Sequence, residues 1–158
     1  NSVNQVRTYN YNKEGLLSDI TLFDGKKVSF SWNDTEHISS VTYPNQTSTQ
    51  YKYDAVGHLT EVIDQTGKSI HYEYDKNHRL TKYTDNNGKV LYENAYDDKG
   101  RVIKQADGVG NLTELSYGKN TTTTTNANGV SETITYDDRY QTTKHVFGDG
   151  KSEEYSYN

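Results

Sequence analysis

Eight aromatic residues recur at near-constant spacing: Tyr11, Trp32, Tyr53, Tyr74, Tyr96, Tyr117, Tyr136 and Tyr157, at intervals of 21, 21, 21, 22, 21, 19 and 21 residues. Flat rings in a regular row can do two things. They can stack on one another and on aliphatic neighbours to seal a sheet, or stay exposed and stack on the C–H faces of sugars. Sealing is the leading expectation, because a ring packed between strands cannot also be presented to a ligand. A carbohydrate platform is the alternative, and the number of solvent-facing rings separates the two.

Other side chains able to do chemistry are distributed without convergence. An Asn or Asp follows the aromatic anchor at Asn12, Asn33, Asp54, Asp75, Asp97, Asp137 and Asn158. Calcium would need Asp-x-[Asp/Asn]-x-[Asp/Asn]-Gly spacing to gather six to eight oxygens, and Asp85-Asn86-Asn87-Gly88 is the nearest approach. A turn explains these residues with fewer assumptions. His37, His58, His71, His78 and His145 fall in different units, with no acid or nucleophile at metal or triad spacing, and read as surface residues. The pairs Asp97-Asp98 and Asp137-Asp138 are sequence neighbours, which a strand sends to opposite faces, so they are poor candidates for a glycosidase pair. The expectation is no catalytic residue, no cofactor and no metal.

The elements that would position these residues follow from aligning the units on the anchor. Two residues before it stands a bulky apolar residue at Tyr9, Phe30, Tyr51, Tyr72, Leu115, Ile134 and Tyr155, with Asn94 the exception. That alternation predicts a half-buried strand ending at the anchor. The Asx residue and the glycines four past the anchor, Gly15, Gly57 and Gly100, predict a tight turn. An apolar residue six past the anchor (Leu17, Ile38, Leu59, Leu80, Val102) opens a second strand. A second turn then closes the unit, at Asp24-Gly25, Asn45-Gln46, Thr66-Gly67, Asn87-Gly88, Asp107-Gly108, Asn128-Gly129 and Asp149-Gly150. After Tyr117 the pattern changes: Gly118 replaces the Asp, and Thr121–Thr125 replaces the usual start of the second strand. Threonine's β-propensity favours a strand there with a shortened turn, an exposed loop being the alternative. The architecture read from the chain is all-β: residues 1–158 form a single array of about seven antiparallel β-hairpin repeats of about 21 residues, in a long curved or spiralling β-strip.

Composition agrees with a thin sheet. Leu, Ile, Val and Phe make up under a fifth of the chain, whereas Tyr alone contributes 15 residues. A net charge of −5 provides no basic stripe for nucleic acid, and no apolar run is long enough for a membrane helix. Asn1 to Asn10 is polar and shows no signal peptide. The absence of cysteine fits an exported protein that does not rely on disulfides, and equally a reduced cytosolic one.

Tyr53-Asp54-Ala55-Val56-Gly57-His58-Leu59 and Tyr96-Asp97-Asp98-Lys99-Gly100-Arg101-Val102 resemble the RHS/YD repeat, whose pattern is Tyr-Asp-x-x-Gly-Arg-Leu; Tyr74-Asp75-Lys76-Asn77-His78-Arg79-Leu80 matches with His in the Gly place. The resemblance runs along the whole chain, strongest in the middle units and weakest in the sixth. It marks Tyr11, Trp32, Tyr53, Asp54, Gly57, Leu59, Tyr74, Asp75, Arg79, Leu80, Tyr96, Asp97, Gly100, Arg101, Tyr117, Tyr136, Asp137 and Tyr157 as repeat-defining.

It also implies a β-strip that winds into a hollow shell, as in bacterial RHS toxins, wall-associated polymorphic toxins, the cocoon component of insecticidal toxin complexes, and teneurins. Such a shell encloses a C-terminal toxin domain or presents a cell-contact surface. The Pro- and Asp-containing self-cleavage motif of the family is absent, since Pro44 is the one proline and sits in a hairpin turn. By resemblance this is an internal stretch of shell wall, or a short stand-alone array, of a secreted or cell-wall-associated bacterial protein. Its expected partners are flanking repeats and a toxin domain. A cell-surface glycan is the alternative partner, and unpaired terminal strands invite edge-to-edge self-association.

Overall fold

A computed structural model describes residues 6–158; of the polar opening segment, residues 1–5 lie outside the described residues. Fifteen strands follow in order: β1 (Thr8–Tyr11), β2 (Leu17–Thr21), β3 (Lys27–Trp32), β4 (Ile38–Thr42), β5 (Ser48–Tyr53), β6 (Leu59–Ile63), β7 (Ser69–Tyr74), β8 (Leu80–Asp85), β9 (Val90–Tyr96), β10 (Val102–Asp107), β11 (Leu112–Tyr117), β12 (Thr121–Thr125), β13 (Ser131–Tyr136), β14 (Thr142–Val146) and β15 (Ser152–Glu154). The seven anchors from Tyr11 to Tyr136 each close an odd-numbered strand, and Tyr157 follows β15. No helix among the described residues is long and apolar enough to cross a membrane.

The chain divides into two compact units. One runs to Glu73 and takes in Asp85–Gly88; the other comprises Tyr74–Thr84 and Lys89–Asn158. In the first, β1 to β7 pair antiparallel with their sequence neighbours. In the second, β8 to β15 do the same. The expected hairpin repeats are therefore present, and Thr121–Thr125 is a strand.

One turn design serves both ends of the hairpins. The Asp54 N–H donates to the His58 carbonyl at 2.9 Å and the Gly57 N–H to the Asp54 carbonyl at 3.2 Å. Asp54 Oδ1 then accepts the N–H groups of Val56 and His58 at 3.0 and 2.9 Å. This is a three-residue loop whose last residue is left-handed, the arrangement that matches strand twist by a type I turn and a bulge. Asp64, with Gly67 and Lys68, repeats it at the opposite hairpin end. The Asp107-Gly108 expectation is corrected. The left-handed residue there is Gly110 at φ 89°, and Gly108 is needed for another reason: a Cβ on it would lie 2.9 Å from the Val90 carbonyl. That carbonyl is brought close where β9 bulges at Leu91, the extra residue behind the 22-residue interval.

Packing departs from expectation in degree. A buried aromatic ladder was expected, yet none of the described residues is buried. One layer of sheet has only in-plane neighbours, so its rings are covered by adjacent strands alone. The ladder itself is present: Tyr9 faces Ile20, Phe30 faces Val41, Tyr51 faces Val62 and Leu115 faces Thr124. Tyr83 and Tyr92 stack with centroids 5.6 Å apart and planes 19° from parallel. The exceptional Asn94 faces Gln105, whose Nε2 donates to Asn94 Oδ1 at 3.2 Å, so an amide pair fills one rung. On the opposite face of the same strands, Lys52 pairs with Glu61 at 2.6 Å and Lys104 with Glu114 at 2.8 Å.

Gly67 isolates the conformational requirement of the turn, because it is left-handed at φ 83° and a Cβ there would meet nothing within 4 Å. Gly67→Ala is expected to lower stability by about 1 kcal/mol through backbone strain alone, read as a shift in the denaturation midpoint. An unchanged midpoint would contradict the turn assignment.

Candidate functional site

The feature that recurs is a fastening between consecutive hairpins. Opposite most anchors the second strand carries one extra residue: Tyr53 pairs with Leu59 while Lys52 pairs with Glu61, leaving Thr60 as a bulge. The same shift occurs at Tyr11/Leu17, Trp32/Ile38, Tyr96/Val102 and Tyr136/Thr142. Bulges bend the strand and end the ladder locally. The pairing of β4 with β5 accordingly stops at Ser40–Gln50, short of Ile38. The Ile38 carbonyl is taken instead by the Tyr53 hydroxyl, which donates to it at 3.0 Å.

This bond repeats. Trp32 Nε1 donates to the Leu17 carbonyl at 2.8 Å. The hydroxyls of Tyr96 and Tyr117 donate to the Leu80 and Val102 carbonyls at 2.6 Å each, and that of Tyr157 to the Thr142 carbonyl at 2.9 Å. In each case the anchor reaches the first residue of the preceding hairpin's second strand. A side chain thus continues the ladder where the backbone cannot. Trp32 works in a tyrosine's place because its indole N–H is also a donor at the ring's far end.

A planar side chain five past the anchor covers the next ring. Arg79 Cζ lies 4.6 Å from the Tyr96 centroid, and Arg101 Cζ 4.1 Å from that of Tyr117. Each guanidinium is held by the Asp of its own turn: Arg79 Nε donates to Asp75 Oδ2 and Arg101 Nε to Asp97 Oδ2, both at 2.8 Å. Arg79 Nη1 also donates to the Asp97 carbonyl of the next turn at 3.1 Å. His37 stands in the Arg place over Tyr53, rings 4.7 Å apart, and His58 Nδ1 lies 2.8 Å from Asp54 Oδ2. Both histidines stay at the surface of the sheet, where they occupy the arginine column of the repeat. The next turn's glycine packs against this column: a Cβ on Gly57 would lie 3.4 Å from the His37 ring, and one on Gly100 3.7 Å from Arg79 Nη1.

The remaining marked residues fall into this frame. Leu59 and Leu80 open β6 and β8, Tyr74 closes β7, and Asp137 caps its turn by accepting the N–H groups of Arg139 and Gln141 at 2.8 and 2.9 Å. Tyr11 closes β1 with a largely exposed ring, 63% accessible. Tyr136 differs. The hairpin before it has neither the third loop residue nor the bulge: Tyr117 pairs with Thr122 and Ser116 with Thr123. Those two losses account for the 19-residue interval. Without a bulge, β12 and β13 pair along their whole length, and the Tyr136 N–H donates to the Asn120 carbonyl at 2.8 Å. No carbonyl is then left over, and among the described residues the Tyr136 hydroxyl has no acceptor.

Hydrogen bonding sets the titration of the turn carboxylates. The Arg79 side chain beside Asp75, and for Asp97 first the Arg101 backbone N–H and then its guanidinium, hold both carboxyls below their ordinary value. Loss of hydration pushes Asp54 up, but bonds from His58 and Val56 outweigh it. No group of three or more His, Asp or Glu among the described residues could hold a metal ion.

These geometries define a tandem antiparallel hairpin-repeat protein. The RHS Repeat family model matches residues 32–67 and 53–90, the stretch that includes the Tyr53 and Tyr74 units. No curated protein sequence matches it significantly. Among solved structures it is similar to TcdB2-TccC3 without its hypervariable C-terminal region, at 16% identity and a TM-score of 0.73 over 95% of this chain and 10% of that one. TcdB2-TccC3 itself gives 16% and 0.69 over the same shares. The Photorhabdus luminescens Tc holotoxin pore with a TccC3 mutation gives 16% and 0.67 over 89% of this chain and 9% of that one. The likeness is one of fold, and the chain spans about a tenth of the length of these relatives.

Two predictions follow from the fastening. Tyr96→Phe and Tyr117→Phe should each cost about 1 kcal/mol, the worth of one hydrogen bond to a backbone carbonyl (that of Leu80 keeping only the longer bond from Asn94 Nδ2 at 3.4 Å), whereas Tyr136→Phe should stay within about 0.5 kcal/mol of the parent. Equal losses at all three positions, measured by denaturant unfolding, would refute the distinction. The second concerns acid. Asp54, Asp75 and Asp97 release protons more readily folded than unfolded, so their contribution is present above the unfolded carboxyl value, about 3.9, and is lost as pH falls through the lower folded values. Thermal melting should therefore fall steeply below about pH 4, and Asp75→Asn with Asp97→Asn should make that limb shallower.

Proposed function

We propose that this chain is a non-enzymatic stretch of wall in a secreted RHS/YD shell that encloses or presents a C-terminal toxin domain. The observation that carries the reading is a single-layer sheet with no buried residue among those described, its hairpins fastened to one another by anchors such as Tyr53, Tyr96 and Tyr117. Such a layer separates two compartments and has no interior of its own. The parents of the similar folds are long chains of toxin complexes, which supports a wall segment within a much longer protein. Repeat-defining residues are, on this reading, the parts that set wall thickness and continuity, and the 158 residues form one array of about seven such units.

The glycan alternative is not favoured, because Tyr53, Tyr96 and Tyr117 spend their hydroxyls on backbone carbonyls and their ring faces on His37, Arg79 and Arg101. Cell-wall attachment has no structural support beyond the resemblance.

Hydroxyl-radical footprinting of the longer chain, set against this segment alone, tests the wall reading. Tyr51 and Tyr92, on the aromatic face, should be oxidised in the isolated segment and protected in the longer chain, while Lys52 and Glu61 on the other face report equal exposure. Equal oxidation of the tyrosines in both would rule out enclosure on that side.

A further inference from the structure

The sixth unit removes a whole fastening at once, and what it leaves is a site. At three anchors the ring is covered by a planar side chain from the preceding turn: His37 on Tyr53, Arg79 on Tyr96, Arg101 on Tyr117, whereas Leu16 holds that place before Trp32. Before Tyr136 that turn is Gly118-Lys119-Asn120-Thr121, which has lost the Asp and carries no residue able to lay a flat cation over the ring. A concavity of about 500 Å³ lies there, lined among others by Arg101, Tyr117, Lys119, Asn120, Tyr136 and Tyr140.

A Cβ on Gly118 would fall 2.4 Å from Thr121 Oγ1, so a larger residue there would turn that hydroxyl aside. Tyr140 occupies the left-handed position at φ 61°, which the matching turns fill with Gly15, Gly57 and Gly100 and also with Glu36 and His78. A bulky residue there is strained, and strain of this kind collects at functional positions. Its ring is 88% accessible, so packing does not explain the choice. Among the described residues, neither Tyr136 nor Tyr140 has a ring contact, and neither hydroxyl a partner.

We propose that this concavity binds an arginine side chain presented by a partner polypeptide, in the place that Arg79 and Arg101 fill within the chain itself. The guanidinium would lie over the Tyr136 ring, the attraction being that of a cation for an aromatic face. Its N–H groups have an acceptor in the Asp137 carbonyl, which already takes the Tyr140 N–H at 3.0 Å. The equivalent Asp97 carbonyl accepts both the Gly100 N–H and Arg79 Nη1. Tyr140 supplies a second ring at the mouth. Of the two cations in the lining, Arg101 is paired with Asp97 at 2.7 Å, and Lys119 is balanced in net charge by Asp138, whose Oδ1 accepts from Asn120 Nδ2 at 3.3 Å. Guanidinium is preferred to ammonium because it is flat and weakly hydrated.

NMR titration of the 158-residue chain with N-acetyl-arginine amide tests the proposal. Saturable shifts should appear at the Tyr136 and Tyr140 ring protons but not at the exposed Tyr9 and Tyr11 rings, and N-acetyl-lysine amide should need about fivefold more to half-saturate. Tyr140→Ala, at a position whose loss leaves the fold intact, should raise the half-saturation about fivefold with unchanged melting, and Tyr136→Leu should abolish the shifts. Equal response to the lysine probe, equal shifts at Tyr9, or saturation by a neutral methyl glycoside in place of the arginine probe would each overturn it. These outcomes bear on the sixth unit alone and leave the wall reading to its own test.

Discussion

A phenol donating to a backbone carbonyl one hairpin away is the bond on which the rest of this structure depends. The repeats at Tyr11, Trp32, Tyr53, Tyr96 and Tyr136 contain a bulge, the one at Tyr117 does not, and a bulge interrupts the ladder to the following strand. Left alone, the interruption would leave a carbonyl unmet and the two hairpins joined at one end only. The anchor removes both problems with one side chain. It must be long, flat and tipped with a donor, which is why Tyr and Trp interchange at Trp32 while an aliphatic residue never takes the place. The capped Asp, the planar cation and the left-handed residue of the next turn are all arranged around that ring.

The energetics are those of a surface throughout. With none of the described residues buried, stability is the sum of half-covered rings, cross-strand pairs and turn hydrogen bonds, each worth about a kcal/mol or less. Such a sum is distributed: neighbouring hairpins hold one another, and a loss at one anchor is felt by the two hairpins it joins. Ion pairs on the opposite face, such as Lys52–Glu61, are exposed and add little. The ring row and the turns, by contrast, sit where strand twist and ring geometry agree.

Much of this was legible in the chain. The period located every hairpin, because both turn chemistry and strand alternation are local properties of a few residues. Thr121–Thr125 followed its propensity into a strand. What the chain did not disclose was long-range or one-dimensional in disguise. The hydroxyl bond joins residues 15 or 16 positions apart in neighbouring hairpins, and only a register reveals the carbonyl it serves. His37 and His58 looked scattered until aligned five past the anchor, where they share a column with Arg79 and Arg101. Gly108 was read as a turn glycine because its neighbour is Asp, although its purpose lies in the approach of β9. Burial was overestimated because periodicity tells which side faces inward, not whether a second layer exists.

The bulge also gives the array an unusual freedom over length. In an ordinary strand, gaining or losing one residue turns every later side chain to the wrong face. Here the bulged residue stands outside the alternation, so it can be dropped without that penalty, and a loop residue can go with it. The 19-residue interval does both, and Leu115 still faces Thr124 and Ile134 still faces His145 in the row beyond. The 22-residue interval makes the reverse change at Leu91. Variation in unit length is thereby uncoupled from the inside–outside pattern, so single hairpins can be reshaped into local sites while the sheet on either side keeps its faces.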